Sequence, residues 1–328
     1  MNMRLKNIIY SFVLITLVSQ AHSQDIRWTK KADLPISVSK SRAVVVNGKI
    51  YVMGGVTPTY RGFSKANYEY NPETDTWTKK QDMPTGRTNF AIATVENKIY
   101  VIGGDPFQNK VEVYDPKTNS WDSLSVMPSE RQHISCAVSN NNIYVIGGFE
   151  NICCPPYPQR CDWETCAKIS DKNQAYNVTT DKWTELASIP TPRHALEMMT
   201  VNDQIYVIGG MGGESSIWEP LKTNEIYNPT ENTWNEKKEM PTPRDGYGYS
   251  VQDDLIYLFG GWITEKQQTS NTVVYNTKTD TWHNSTDLPV KSGAFAFATI
   301  DNKIYIFGGD NEDYSEIFSF TYVGEIAK

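Results

Sequence analysis

The chain has 328 residues, 39% of them hydrophobic and 12% aromatic, enough for one large core or two modest ones. Its 31 Lys and Arg stand against 38 Asp and Glu, a net charge of −7, and no basic stretch follows the first 23 residues. Nucleic acid is therefore excluded as an expected partner.

Residues 1–23 read as a secretory signal. Arg4 and Lys6 give a basic start, Ile8 to Val18 a short apolar run, and Ala21-His22-Ser23 a small-residue end before Gln24. The run is too short to span a bilayer, and no later segment reads as a membrane span. The expectation is an exported, monomeric protein, secreted or periplasmic, whose residues 24–328 form one domain. The leader carries two of the 31 basic residues and none of the acids, so the remainder bears −9.

Six repeats follow. A Gly-Gly pair closes an Ile/Leu-Tyr run at Gly54, Gly103, Gly147, Gly209, Gly260 and Gly308. A Trp lies 26 residues ahead of each pair, at Trp28, Trp77, Trp121, Trp183, Trp234 and Trp282. Five of these Trp lie seven residues after a Tyr (Tyr70, Tyr114, Tyr176, Tyr227 and Tyr275), with a turn segment between. Each unit holds four strand-like runs, A to D. In the second unit these are Phe90–Val95, Lys98–Ile102, Lys110–Tyr114 and Ser120–Ser125. Four short strands per unit of about fifty residues fit a propeller blade.

The Gly-Gly, the later Tyr and the Trp of each unit resemble the kelch family across nearly all of 24–328. The resemblance implies an all-β, six-bladed kelch-type β-propeller, with four antiparallel strands per blade around a channel. The last unit has a C strand, expected within Ser315–Tyr322, but no Trp after it. The first Trp sits in a D strand, Ile26–Lys31, with no C strand before it. The N-terminal strand is thus expected to complete the last blade and close the ring.

Both fixed intervals run through A, B and D. Only the B–C connection varies, by 15, 10, 28, 17 and 14 residues from second Gly to Tyr. In an antiparallel blade all B–C and D–A connections emerge on one face, so that face is the expected recognition surface. Trp163, Trp218 and Trp262 lie in B–C loops and are candidate platforms for a glycan or a peptide. Ten residues after four of the Trp comes an arginine: Arg87, Arg131, Arg193 and Arg244. They are candidates for a basic ligand-binding rim, although a role in holding the D–A turn competes with that reading. In the A strands, side-chain alternation points Arg42 and Glu197 into the channel from opposite blades. Lys40, Asn89 and His133 cluster one step nearer the loop-rich mouth.

Cys153, Cys154, Cys161 and Cys166 lie in the longest B–C loop, and export favours two disulfides of undetermined pairing. Zinc is the alternative, but adjacent cysteines and the lack of a nearby His weigh against it. Cys136 reads as a buried thiol. Asp310, Glu312, Asp313 and Glu316 match no calcium-loop pattern and read as solvated acids. No metal or cofactor is implied.

The leading functional reading is an exported recognition module that binds a protein segment or glycan at the loop-rich face, as kelch proteins commonly do. The alternative is a carbohydrate-active enzyme resembling exported N-acetylneuraminate epimerases (mutarotases). In it Glu197 or His133 would serve as acid/base, and Arg42 or Arg193 would hold the sugar carboxylate. Copper radical oxidases of the same fold are disfavoured, because only His133, His194 and His283 follow the leader.

Overall fold

The two glycines, the Tyr and the Trp recur because each blade uses them to grip a neighbour. The computed structural model describes residues 25–58, 62–151, 167–213 and 219–327. Among these, every regular element is a strand, and no helix is long and apolar enough to cross a membrane. There are six four-stranded antiparallel sheets. The second comprises Ala91–Val95, Lys98–Ile102, Val111–Asp115 and Ser120–Leu124, within a residue or so of the sequence expectation. The innermost strand of each sheet packs against those of both neighbours, and Ala296–Ile300 of the sixth packs against Arg42–Val46 of the first. The inner strands thus form a closed ring.

Ile26–Lys30 is the outer strand of the sixth sheet. It pairs with Thr321–Ile326, with Ile26 opposite Ile326 and Lys30 opposite Tyr322. The chain ends therefore close the ring. The C strand, expected within Ser315–Tyr322, begins only at Thr321. The backbone carbonyls of Phe318 and Ser319 accept from Val38 and Leu34 instead of joining the sheet. Trp28 faces Gly324 where the other blades offer a Tyr, and its indole N–H has no partner among the described residues.

In the other five blades the Tyr hydroxyl donates to an Asp or Asn five residues later. Tyr70 does so to Asp75 at 2.6 Å and Tyr114 to Asn119 at 2.6 Å. The same side-chain oxygen accepts a backbone N–H of the preceding blade, such as Ala32 for Asp75. The Trp, tilted against the Tyr ring at 4.8–5.2 Å, donates its indole N–H to the same neighbour, as Trp77 does to Ala32 O at 2.9 Å. These latches fasten the outer wall.

The Gly pair fastens the inner wall. Gly104 N donates to Arg131 O and Gly309 N to Val38 O, each at the start of the next blade. A Cβ on Gly103 would stand 2.8 Å from Arg131 O, and one on Gly308 would stand 2.2 Å from Val38 O. Both residues also have positive φ, so only glycine allows this approach.

Candidate functional site

The residue twelve positions after each Trp enters the inner strand. All six (Lys40, Asn89, His133, Ala195, Gly246 and Ala294) adopt left-handed backbone, with φ between 50° and 55°. In three of them the amide bonds to the preceding blade. Lys40 N donates to Ala294 O at 2.7 Å, Ala195 N to His133 O at 3.0 Å, and Ala294 N to Gly246 O at 3.1 Å. The result is a hydrogen-bonded collar at the loop-rich mouth. Asn89 Nδ2 and His133 Nε2 lie 3.0 Å apart. Burial, with Lys40 and Arg42 adding repulsion, pushes the His133 pKa down to about 3, so the ring is neutral.

Just below the collar, Arg42 and Glu197 meet across the axis at 2.6 Å. Arg42 also donates from Nε to Phe90 O and from Nη2 to Ile134 O, while Ser135 Oγ donates to Glu197 at 3.0 Å. Desolvation alone would lower the Arg42 pKa, but Glu197 more than offsets it and the guanidinium stays charged. The two residues expected to face the channel therefore plug it. Between plug and collar only about 60 Å3 remains.

Side-chain alternation does not sort channel residues from packing residues as the sequence reading held. Consecutive residues of one strand, Arg42 to Val45, line the axial cavity on the other side of the plug. Each inner strand presents its edge to the axis, so both of its faces reach the cavity obliquely.

The basic rim is corrected. Arg87, Arg131, Arg193 and Arg244 are fully buried and spend their guanidinium groups inside the blades. Arg87 binds Gly103 O at 2.8 Å and Glu112 at 2.5 Å. Arg193 pairs with Glu225 at 2.7 Å. Arg131 meets Gln174 at 2.7 Å and Gly147 O at 3.0 Å, and Arg244 meets Gly260 O and Asn271. Desolvation pushes the Arg131 and Arg244 pKa values down to about 10, which leaves both charged at neutral pH. The competing role, support of the D–A turn, is the one these contacts describe. The signal the sequence held was the residue two before the repeat Tyr, which is Glu112, Gln174 and Glu225 in three of these blades.

Trp262 is also buried, at 5% exposure. It stacks on Tyr314 at 5.1 Å, and Gln268 beside it donates from its side chain to Asp310 O and from its backbone N–H to Glu312. The exposed ring is Tyr314, at 56%, which the sequence reading missed. Lys40 Nζ lies 5.4 Å from its centroid. Asp105 and Asp310, each directly after a Gly pair, flank this lysine. Burial raises the Asp105 pKa to about 6 and that of Asp245, also at the mouth, to about 7, and it raises that of Asp310 as well. Asp310 is not a solvated loop acid; it accepts from Ser39 at 2.5 Å. Trp163, Trp218 and Cys153, Cys154, Cys161 and Cys166 lie outside the described residues. Cys136 is a buried free thiol whose pKa burial pushes up to about 12. Among the described residues no cluster of His, Cys, Asp or Glu could hold a metal.

A family model described as the KLHDC2/KLHL20/DRC7 Kelch-repeats domain matches residues 4–148 and 164–309, and a Kelch motif model matches 130–190. The chain belongs to the kelch-repeat family. Similar proteins include β-scruin of Limulus polyphemus, 32% identical over 28% of this chain and 10% of the relative. Kelch-like protein terF of Aspergillus terreus is 30% identical over 30% of this chain and 22% of the relative. Kelch-like ECH-associated protein 1B of Danio rerio is 31% identical over 27% and 15%. The aligned stretches thus span about a tenth to a fifth of these relatives.

Proposed function

We propose that this kelch propeller is an exported recognition module that binds a protein segment across its loop-rich face. The observation that carries the reading is the division of labour at that face. The collar backbone, the arginines and the Gly pairs are consumed in holding blades together, while the Tyr314 ring and the Lys40 side chain stand above them on B–C and D–A connections. Asp105 and Asp310, the two carboxylates that flank Lys40, disfavour an acidic ligand and favour a neutral or basic segment.

The epimerase alternative is less well supported. Arg42 and Glu197 neutralise each other, which leaves neither a free cation for the sugar carboxylate nor a free carboxylate for acid/base work, and His133 is neutral and held by Asn89. The 60 Å3 behind the collar is well below the roughly 300 Å3 at which small-molecule pockets begin. Glycan binding at Tyr314 is the runner-up within the recognition reading, because an exposed ring also suits a sugar face. Peptide and glycan arrays probed with the purified protein separate the two. Peptide signals that fall in Tyr314→Ala and Lys40→Ala are expected. Signals unmoved by both variants would remove the loop-rich face as the binding surface.

A further inference from the structure

On the far side of the plug the axis is open. A cavity of about 430 Å3 runs from Arg42 and Glu197 toward the A–B hairpins, with Asp301 of the sixth hairpin at its edge. It continues into a region of about 350 Å3 that shares Val44, Val45, Ile92 and Val251. Both volumes lie within the range of small-molecule sites, roughly 300–1,000 Å3. None of the described B–C loop residues lines it.

Its walls are aliphatic and aromatic, from Val45, Ile92, Val251 and Phe297, and its floor is polar. That floor offers donors more than acceptors. The Arg42 side chain is 19% exposed and its partner Glu197 only 5%. A guanidinium has five N–H donors, and the bonds to Phe90, Glu197 and Ile134 engage three. Burial and the Glu197 charge hold the proton on the Tyr249 hydroxyl, which keeps it a donor. The ion pair is neutral as a whole. An anion here would meet Glu197 and a cation Arg42, each without excess charge to offset its desolvation.

We propose that this cavity binds a small, uncharged, mainly apolar molecule bearing one hydrogen-bond acceptor, of the class of aromatic ketones or lactones. The acceptor oxygen takes hydrogen bonds from Tyr249 and Arg42, and the apolar body fills the space between Val45, Ile92 and Phe297. The site lies on the face opposite the recognition loops and is independent of the function proposed for them.

Three probes of similar shape test the class: acetophenone, ethylbenzene, which lacks the acceptor, and benzoate, which is charged. Ligand-observed NMR titration of the full protein is expected to show acetophenone binding on the order of 1 mM, as its size allows, with the other two weaker. Intermolecular NOEs from its methyl group to Val44, Val45 and Val251 locate it in the unmutated protein. Tyr249→Phe should weaken acetophenone about 2- to 10-fold and leave ethylbenzene unchanged. Val45→Trp and Thr299→Phe, on different blades, should each block binding. Absence of acetophenone binding, NOEs elsewhere, or benzoate binding as tightly as acetophenone would overturn the proposal.

Discussion

The two ends of the propeller axis are built from the same six inner strands and differ in almost everything else. At the loop end, six left-handed residues, three of them joined to the preceding blade by their amides, form a collar and leave about 60 Å3 behind it. At the hairpin end, two-residue turns add nothing over the axis and about 430 Å3 stays open. The Arg42–Glu197 pair separates them. Backbone amides join the blades of the inner wall at the loop end, whereas at the hairpin end side chains do so, Asn202 to Asp254 and Gln252 to Asp301 O. The connections at the loop end are free to vary because the collar beneath them does the holding.

The largest expected effect comes from breaking the partition. Glu197→Ala leaves a buried guanidinium without its counter-charge and should lower stability by about 3–5 kcal/mol in denaturant melts. Joint replacement, Arg42→Met with Glu197→Leu, should recover most of that loss, because no charge is then stranded. A double variant no more stable than Glu197→Ala would show that the plug matters through its shape and not its charge. Next come the arginines under the collar. Arg87→Ala strands Glu112 and should cost about 3 kcal/mol or more, whereas Arg131→Ala strands the uncharged Gln174 and should cost about 1–3 kcal/mol. The reverse order in parallel melts would contradict the pairing described for them.

These two sets of residues also mark what the sequence made legible. The six units, the ring closure by Ile26–Lys30 and the placement of Arg42 opposite Glu197 follow from fixed intervals, because a repeat must meet its neighbour in the same way each time. What an interval does not carry is direction. An Arg ten residues after Trp faces either solvent or the blade interior at the same spacing, and only its partner, Glu112 or Glu225, decides. Trp262 is misleading for a similar reason: a large aromatic ring in a variable loop reads as a platform, yet it is the support under Tyr314. Asp105 and Asp310 occupy equivalent places directly after a Gly pair, a regularity visible in the sequence once the pairs are aligned.

The pH response sharpens the loop end further, because the buried acids Asp105, Asp245 and Asp310 act in one direction and the buried His133 and His194 in the other. Burial raises the Asp245 pKa to about 7. Between the unfolded value of about 4 and that value the folded chain binds more protons, so this residue makes stability fall as pH rises from about 4 to about 7. Burial lowers the His133 pKa to about 3. Between that value and about 6.5 the unfolded chain binds more protons, so His133 makes stability fall as pH drops through that window. The wild-type profile is therefore flatter than either contribution. Relative to it, Asp245→Asn should gain stability progressively from pH ~4 to ~7. Parallel wild-type and variant curves across that range would mean Asp245 ionises as freely in the folded state as in the unfolded one.

The smallest expected change in stability accompanies the clearest expected change in binding. Lys40 sits at a position that Ala195, Gly246 and Ala294 fill in other blades with the same left-handed backbone. The collar there is made by backbone amides, so it does not require the lysine side chain. Lys40→Ala should therefore melt within about 0.5 kcal/mol of wild type, and Lys40→Gly, which relieves the positive φ, should melt at least as high as Lys40→Ala. Both variants remove the cation beside Tyr314 and should weaken peptide binding at the loop-rich face while sparing acetophenone at the hairpin end. A Lys40→Ala protein that melts far below wild type would place the side chain in the collar's structure and erase the distinction between the groups that hold this end together and the groups it presents.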